Sequence, residues 1–579
     1  MIGITADKSG NGQFFTKSGI AATDKTKDSP SNNFCTINPL HVDTEGTQSN
    51  ATFQEGNLRT STATNAGASS NFQGTFGMTT GKWYWEGIQS GGTVTAAVVG
   101  ITNKAETDKI VYFANGQYYN EDGATNYGAS YGVDVVVAAA YDADNKTITF
   151  YRANSSQGAL SDAVDGGEPY FPFGWDGSGS AYSEINLNFG ADSTFAGEIT
   201  GSANAQDSNG QGDFFYQPPA GYLALCSQNL PEPTVVPWDN FAARNWTGNG
   251  GSAGDITDDV KSFQPSFLWF KGRETDGDRH QIYDVVRGAT YSLAPDGADA
   301  AITRSTGVTQ FNGNGFRVSN HVYNNRNTSP YVFWGWRADT AFSNDASSTS
   351  VGSADSSGRT NVAAGFSIIT YVGSGGPDTI AHGLGAVPEM IIVKNVSADN
   401  QEWLVYHHKN TAAPQTDYLR LDTTAATADN TFWNDTTPTT AVFSVGDSQP
   451  VNSSHGNTYI AYCWRAIEGY SEFEGYTGNN RADGPFIYTG FSPSFVLIKN
   501  TGSTNGWMLF DDARGDRVKL SPDTTGVESA VTYIDFLSNG FKLISNHPNV
   551  NGSHAYIYMA FAHSPFKYSN AKTPDGRLQ

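Results

Sequence analysis

The stretch PSFLWFK (residues 265–271) recurs twice in this chain, as PEMIIVK (388–394) and as PSFVLIK (493–499). In each copy a proline precedes a run of apolar residues, several of them β-branched or aromatic, and the run ends at a lysine. Short runs of this composition are typical of buried strands. Self-similarity on this scale predicts that one supersecondary unit is used three times in series.

Each repeat ends in an aromatic segment, and the three segments are YVFWGWRA (331–338), YIAYCWRA (459–466) and YIYMAFA (556–562). We predict that this closing strand pairs with the PSFLWFK-type strand of its own repeat. Each repeat would then have a core of Trp, Tyr, Ile and Val, with Trp464 buried in the second repeat. The recurring lysines, Lys271, Lys394 and Lys499, are expected to reach the surface, because a lysine at the end of a strand commonly extends its ammonium into water.

The composition favours an ordered all-β protein. At 579 residues the chain is long enough for about four domains, and it is rich in Gly (64), Phe (34) and Tyr (28). Charged residues make up 16%, below the roughly 25% of typical globular proteins. No segment keeps a helical apolar period for several turns, whereas aromatic residues recur between turn-forming residues, as they do in strand-rich folds.

Charge and cysteine content exclude several classes of protein. The net charge of −23 argues against binding nucleic acid, which requires clustered Lys and Arg. The longest strongly apolar run (135–140) is too short to span a bilayer, and the first residues show no signal peptide. Three cysteines cannot form a disulfide framework, so we expect reduced thiols, with a Cys35–Cys226 bridge as the alternative.

The N-terminal part contains a series of strand-like motifs in a specific order. They are GKWYWE (81–86), AAVVGI (96–101), TITFY after a DADN turn (142–151), PYFPF (169–173) and INLNFG (185–190). This order resembles the SPRY domain, a concanavalin-like sandwich of two β-sheets. SPRY domains bind partners through loops at one end of the sandwich and have no catalytic centre, so the resemblance implies a binding role.

The flanks of this region and the repeats extend the resemblance over nearly the whole chain. The lead-in DKSGNG (7–12), the exit segments GDFFYQPP (212–219) and GYLALC (221–226), and the three repeats are similar to segments of bacteriophage tail-fibre proteins, especially marine ones. The resemblance implies a virion protein, assembled in the host cytoplasm and displayed on the particle. Because phage fibres are generally trimeric, it also implies a homotrimer.

The linkers and repeats predict five segments. They are an N-terminal arm (1–34), a SPRY-like sandwich (35–231), a linker with repeat 1 (232–340), a Ser/Asp-rich linker with repeat 2 (341–467), and repeat 3 with a C-terminal tail (468–579). The Ser/Asp/Thr-rich tract 339–361 is predicted to be the most mobile linker.

A tyrosine-rich stretch is the candidate ligand site. It comprises Tyr118, Tyr119, Asn120, Glu121 and Asp122. Aromatic rings beside polar groups suit the stacking of sugar rings. The alternative interpretation, that tyrosines in this region belong to the scaffold, applies to Tyr127 in the SPRY pattern.

Other candidate motifs favour structural roles. The acidic segments 142–145 and 276–278 lack the rest of a calcium loop and are interpreted as turns. His407-His408 has no second spaced ligand for zinc. Arg514-Gly515-Asp516 spells an adhesion tripeptide, but its Arg-Gly recurs as Arg287-Gly288 in the first repeat and is therefore interpreted as scaffold. No metal site, cofactor or catalytic centre is predicted, and no known catalytic motif occurs.

Together these observations predict a non-enzymatic structural protein of a bacteriophage, a tail fibre or similar appendage, that adheres to the host surface by multivalent binding. Its partners would be other virion proteins and a host polysaccharide or protein receptor. The alternatives are a capsid decoration or head-fibre protein and a polysaccharide depolymerase.

Overall fold

The computed structural model describes residues 27–29, 32–41, 51–62, 71–92, 96–161, 164–165, 168–175, 183–201, 204–251, 254–257, 263–453 and 456–568. Strands form nearly all of the regular structure, so the predicted all-β class is confirmed. The helices in these residues are the one-turn α1 (Val322–Asn325) and α2 (Ala346–Thr349) and the 3-10 turns Glu55–Asn57, Pro237–Asp239, Thr431–Trp433 and Phe566–Tyr568. The described residues form two compact units, one that ends at Glu232 and one that begins at Pro233.

The N-terminal unit is a sandwich of two mostly antiparallel sheets, as its motifs predict. One sheet has the order β1-β2-β13-β4-β9-β10-β11, with β14 parallel to β4, and the other has the order β3-β12-β5-β6-β7-β8. The strands are β1 (Ala51–Gln54), β2 (Arg59–Thr62), β3 (Asn71–Gln73), β4 (Lys82–Gly92), β5 (Ala97–Asn103), β6 (Lys109–Phe113), β7 (Gln117–Asn120), β8 (Gly123–Asn126), β9 (Val137–Asp142), β10 (Thr147–Arg152), β11 (Ser155–Leu160), β12 (Tyr170–Trp175), β13 (Ser183–Asn188) and β14 (Leu223–Ala224).

Aromatic rings from both sheets meet inside this sandwich. Tyr112 of β6 stacks on Phe150 of β10, with ring centroids 5.5 Å apart, and Tyr141 of β9 packs against Tyr170 of β12 at 6.1 Å. The buried Glu86 of β4 accepts backbone hydrogen bonds from the exit segment, at Phe215 and Tyr216. Burial raises the pKa of this carboxyl to about 7.

The lead-in and exit segments of the sandwich lie side by side. The Cys35 N–H donates to Leu225 O at 2.9 Å, and Phe34 forms a β-bridge with Cys226. Both cysteines are buried free thiols, and burial raises their pKa values. The alternative of a Cys35–Cys226 disulfide is therefore wrong. The DKSGNG segment and most of the predicted arm lie outside the described residues.

The C-terminal unit contains three modules, one for each repeat. Module 1 contains β15 (Phe241–Thr247), β16 (Gly254–Thr257), β17 (Phe267–Gly272), β18 (Gln281–Asp284), β19 (Tyr291–Ser292), β20 (Ile302–Thr303), β21 (Val308–Asn312), β22 (Gly315–Val318) and β23 (Pro330–Trp336). Module 2 contains β24 (Thr340–Asn344), β25 (Ser356–Asn361), β26 (Phe366–Val372), β27 (Asp378–Ala381), β28 (Met390–Asn395), β29 (Leu404–His407), β30 (Asp417–Arg420), β31 (Ala428–Asp429), β32 (Val442–Val445) and β33 (Thr458–Trp464). Module 3 contains β34 (Ser471–Thr477), β35 (Phe486–Tyr488), β36 (Phe491–Asn500), β37 (Met508–Asp511), β38 (Val518–Lys519), β39 (Ser529–Ala530), β40 (Ile534–Leu537), β41 (Gly540–Leu543) and β42 (Ala555–Pro565).

Every module builds its main sheet in the same order. The orders are β15-β23-β17-β18, β26-β33-β28-β29 and β34-β42-β36-β37. The closing aromatic strand thus pairs with the PSFLWFK-type strand in all three modules, and Trp464 lies opposite Met390. A small second sheet covers one face of each main sheet: β16-β22-β21, β27-β32 and β35-β41-β40. The predicted pairing is confirmed.

The two faces of each main sheet belong to different cores. In β17, Leu268 and Phe270 face the core of module 1 itself, together with Phe316 of the small sheet. The alternate residues Phe267 and Trp269 belong to a second core, to which all three main sheets contribute. The modules are therefore not independent domains, because each buries one face of its main sheet against the other two modules.

A cyclic set of polar contacts joins the modules around this shared core. At the end of the fourth strand of each main sheet, one polar side chain bonds to the closing strand of the next module. The pairs are Asp284 Oδ2 with Tyr462 Oη (2.8 Å), His407 Nε2 with Tyr558 O (3.1 Å), and Asp511 Oδ2 with Trp334 Nε1 (3.2 Å). The contacts run from module 1 to 2, from 2 to 3, and from 3 back to 1.

The repeated lysines form a second cyclic set, and the expectation that they reach the surface is wrong. Lys271, Lys394 and Lys499 are fully buried. Each Nζ donates to a carbonyl of its own module and to one of a neighbouring module; the neighbouring acceptors are Thr525 O (3.2 Å), Ala298 O (3.0 Å) and Thr424 O (3.0 Å). Burial lowers the pKa of each lysine to about 8. Each of these lysines lies where its strand ends against a neighbouring module, so its ammonium is enclosed and does not reach solvent.

A third set of contacts between modules is made by His280, Trp403 and Trp507, which occupy the same position in repeats 1, 2 and 3. Trp403 Nε1 donates to Ala294 O at 3.2 Å and Trp507 Nε1 to Arg420 O at 2.8 Å, in each case in the preceding module. His280 Nε2 lies 3.2 Å from Ser521 O of module 3. Burial keeps the pKa of His280 well below its ordinary value, so the neutral ring donates through Nε2. The histidine therefore repeats the indole hydrogen bond.

The Ser/Asp/Thr-rich tract 339–361, predicted to be a mobile linker, instead forms β24, α2 and β25. These strands form an antiparallel hairpin that extends the main sheet of module 2 beyond β26. Asp345 caps α2 by accepting the Ser348 N–H at 3.1 Å. The linker prediction was wrong because a solvated hairpin and a linker have a similar polar composition. The segment is ordered because its backbone pairs with β26.

Candidate functional site

The candidate tyrosines lie on the last hairpin of the six-stranded sheet, and they face opposite sides of it. Tyr119 in β7 is opposite Val111, and Tyr118 is opposite Tyr112. Because successive side chains of a strand alternate between faces, Tyr118 shares the side of Tyr112, which faces the sandwich interior. Tyr119 shares the other side. The predicted five-residue site is therefore split by the sheet.

Tyr119 belongs to an aromatic cluster on the outer face of the six-stranded sheet. Its ring centroid lies 5.5 Å from that of Trp175 in β12, and Phe113 of β6 lies 5.4 Å from Trp175. The three rings pack over the buried Ala97, Val111 and Phe173, and each keeps part of its surface in solvent. We call Phe113, Tyr119 and Trp175 the aromatic face.

One cation borders the aromatic face. Lys109 Nζ lies 5.7 Å from the Trp175 ring centroid and 5.9 Å from that of Phe173. A lysine in this position has a favourable cation–π interaction and presents an N–H donor beside apolar ring surface. The combination of half-exposed rings and an adjacent hydrogen-bond donor suits a sugar ring, whose C–H groups pack on aromatic carbon while its hydroxyls bond to polar groups.

Tyr118 has a structural role instead. Its ring makes an edge contact with Tyr127 at 5.7 Å, and Tyr127 packs in turn against Tyr112 and Phe150. The Tyr127 hydroxyl donates to Gly158 O, and burial raises the pKa of this phenol to about 12. These contacts agree with the scaffold interpretation of Tyr127 and extend it to Tyr118.

The polar part of the predicted site forms the tip of the hairpin. Asn120 Oδ1 accepts the Asp122 N–H at 3.2 Å, and the turn continues through Gly123, whose φ of 107° suits only glycine. Glu121 and Asp122 are exposed. These residues shape the turn, and the sequence spacing alone did not show that Phe113 and Trp175 join Tyr119 from other strands.

The remaining candidate motifs are part of the scaffold. Arg514 is fully buried and paired with Asp511 at 2.7 Å, so it is unavailable to a receptor, while Asp516 accepts the Phe536 N–H. The acidic segments 142–145 and 276–278 are turns. Within the described residues, no group of three or more His, Cys, Asp or Glu side chains is arranged to hold a metal ion. No helix among those residues has the length and apolar character that crossing a membrane requires.

The three-module unit coincides with a known protein family. The family described as Domain of unknown function (DUF7483) matches residues 236–565, which is more than half of the chain and begins and ends with the three modules. The chain belongs to this family. The DUF7483 region is therefore the whole cyclic unit rather than one repeat. No curated protein matches the chain.

Solved structures similar to the chain include several SPRY domains. The SPRY domain of human HERC1 is 13% identical, with a TM-score of 0.21, over 28% of this chain and 96% of that domain. A human SPRY domain is 17% identical, with a TM-score of 0.21, over 24% of this chain and 94% of that domain. The PSpry domain of TRIM65 is 13% identical, with a TM-score of 0.21, over 27% of this chain and 92% of that domain.

Proposed function

We propose that this protein is a non-enzymatic structural protein of a bacteriophage particle, a tail fibre or similar appendage, that attaches to saccharides of the host surface. The observation that carries the binding role is the aromatic face, where Tyr119, Phe113 and Trp175 hold ring surface open to solvent beside Lys109. The virion setting is supported by the sequence resemblance of the flanks and repeats to tail-fibre proteins.

Adhesion by such a face needs several copies. A single ring-stacking site binds weakly, but linked copies raise the overall affinity by orders of magnitude. A homotrimer, as in other phage fibres, would supply three faces. The three modules already cover one another's apolar faces within a single chain. The homotrimer is proposed on resemblance alone, as are docking to other virion proteins and display at the virion surface.

The test compares two neighbouring tyrosines. Purified full-length protein should adsorb to susceptible host cells and compete with the phage that carries it. Tyr119→Ala should weaken adsorption by at least about tenfold, equivalent to about 1.4 kcal/mol in the overall free energy of binding. Tyr118→Ala is the matched control, since it removes the same side chain from the opposite face. Its adsorption should equal that of the native protein once folding is verified by circular dichroism.

Three outcomes would contradict the proposal. Equal adsorption by the Tyr119 and Tyr118 variants would remove the aromatic face as the site. Release of reducing sugar from host polysaccharide by the protein alone would favour a depolymerase. Antibody label over the head of the particle, without competition for attachment, would favour a capsid decoration protein.

A further inference from the structure

Module 2 departs from the plan that the three modules share. The main sheets of modules 1 and 3 begin at β15 and β34, which are edge strands, whereas the sheet of module 2 continues past the equivalent β26 to β25 and β24. Neither strand contributes to the shared core, and Phe342 of β24 packs against the separate core of module 2. The hairpin is thus an addition that the cyclic unit does not need for closure.

This addition forms a groove of about 530 Å³. Its volume falls within the range of roughly 300 to 1,000 Å³ that small-molecule sites occupy. The groove is lined by side chains of β24, β25 and β26 and by Asp345 and Asp355 in the segment that joins β24 to β25.

A row of hydroxyl groups crosses the groove. Ser343 of β24 lies opposite Ser357 of β25, which lies opposite Thr370 of β26, so the three side chains share one face of the sheet. Ser343 and Ser357 are exposed. Two residues further along β26, on the same face, Val372 is 57% exposed. Exposed hydroxyls beside an apolar surface match a ligand that has both hydroxyl and C–H groups.

Two carboxylates continue this face beyond the hydroxyl row. Asp345 accepts hydrogen bonds from Ser347 and Ser348, which lower its pKa and keep it ionised. Asp355 Oδ1 accepts the Ala346 N–H at 2.9 Å, and its side chain is exposed. Among the residues that the structure describes, the lining contains no Lys, Arg or His. The field in the groove therefore favours a cationic ligand group and disfavours an anionic one.

One basic residue of β25, Arg359, shares this face but does not change that balance. Arg359 lies two residues beyond Ser357 on β25, away from the aspartates, and it does not line the groove. Its guanidinium donates to Asp339 O at 3.0 Å. The carboxylate end of the groove thus keeps its negative charge.

We propose that this groove binds a saccharide that carries an amino group. The ammonium would lie against Asp355, the ring hydroxyls would bond to Ser343 and Ser357, and the apolar side of the ring would cover Val372. The site is built from residues other than those of the aromatic face, and it does not depend on the proposed attachment role of that face.

The test uses the full-length protein and three disaccharides that differ in charge: diglucosamine, its N,N′-diacetylated form, and digalacturonic acid. Titration calorimetry or saturation-transfer NMR should show that diglucosamine binds most tightly and digalacturonic acid does not bind. Asp355→Asn and Ser357→Val should each weaken diglucosamine binding by at least about tenfold. Asp429→Asn, which removes an exposed carboxylate elsewhere in module 2, should leave it unchanged.

A variant that fills the groove keeps the test informative if binding is weak. Ser357→Tyr places a large side chain at an exposed strand position and should abolish diglucosamine binding while the melting temperature stays unchanged. The proposal is overturned if native protein fails to bind diglucosamine, if digalacturonic acid binds as well, or if Asp429→Asn weakens binding as much as Asp355→Asn. Binding at the aromatic face is reported separately by Tyr119→Ala, which should leave this affinity unchanged.

Discussion

The three junctions between the modules place a polar side chain at the same position, but two of them use an aspartate and the third uses a histidine. Where modules 1 and 3 each contact the next module, an aspartate accepts a hydrogen bond from an aromatic side chain and is paired with an arginine three residues later. Where module 2 contacts module 3, the aspartate is replaced by His407, the arginine by Asn410, and the aromatic donor by Met559. His407 instead bonds to the backbone carbonyl of Tyr558.

The three positions differ together between the junctions. Methionine has no N–H or O–H to offer, so an aspartate at the second junction would face a carbonyl without any donor. A neutral histidine supplies the donor, and without a carboxylate the buried arginine has no counter-charge and is absent as well. A buried polar group is costly unless it is paired, and this cost explains why one replacement requires the other two.

The largest expected effect comes from breaking the shared core. Trp464→Ala should lower the free energy of unfolding by about 3 to 5 kcal/mol, because Trp464 is buried and stacks on Phe366 at 5.0 Å in the core that all modules share. Hydrogen exchange measured by mass spectrometry should increase in β17 and β36 of the other modules as well as in β28.

Trp433→Ala is the matched control, since this equally buried tryptophan belongs to the core of module 2 alone. Faster exchange should then be confined to module 2. If the two variants give the same exchange pattern, the shared core does not couple the modules.

The next effect tests the aspartate–arginine junction. Asp511→Ala should cost about 3 to 4 kcal/mol, because it removes the 2.7 Å partner of the buried Arg514 guanidinium and leaves only the longer contact to Glu528 at 3.6 Å. The double variant Asp511→Ala with Arg514→Met removes both charges and should recover more than half of the loss in chemical denaturation. If the double variant is less stable than Asp511→Ala alone, the uncompensated charge is not the cause.

The buried lysines predict an unusual pH dependence. Their pKa of about 8 in the folded protein is lower than the 10.5 of an unfolded lysine. Between these values the unfolded state binds more protons, so stability rises with pH. We expect a gain of about 1 to 2 kcal/mol for each lysine between about pH 8 and pH 9.5. Lys271→Met should reduce the total gain by about a third, and an unchanged slope would contradict the buried placement.

The smallest effect concerns the histidine junction. Burial lowers the pKa of His407 to about 3, below its ordinary value of 6.5, so the unfolded state binds more protons and stability falls as the pH drops below 6.5. The loss should reach about 2 kcal/mol near pH 5. His407→Gln keeps an N–H donor and removes the titration, so its stability should fall less steeply over this range. A parallel decline would show that His407 does not set the acid sensitivity.

The candidate ligand site shows where one-dimensional reasoning stops. Tyr119 was predicted from its position in a tyrosine-rich stretch, and it does lie in an aromatic cluster. Neighbours in sequence, Tyr118 and Asn120, face elsewhere or form the turn, because side chains alternate along a strand. Trp175 and Phe113 come from other strands, and only their pairing through β5 brings them beside Tyr119.

The local structure of this protein follows from patterns that are visible in its amino-acid sequence. Apolar alternation, turn residues and the threefold repeat were enough for the all-β class, the SPRY-like strand series and the pairing of each closing strand with its PSFLWFK-type partner. These features depend on contacts within a repeat, whose residue types recur at fixed spacing. The same signals could not distinguish a polar hairpin from a linker, since both are rich in Ser, Asp and Thr.

The way in which the repeats are joined is visible in the tertiary structure alone. The exposure of Lys271, Lys394 and Lys499 depends on what lies beyond the end of each strand, and there the neighbouring module supplies carbonyl acceptors. The face of each main sheet that lies in the shared core is as apolar as the face that lies in the module's own core. The sequence of one repeat alone cannot show which surface covers that second apolar face. Three such faces bury one another, because the free energy of removing apolar surface from water depends on the amount of area covered and not on which part of the chain covers it.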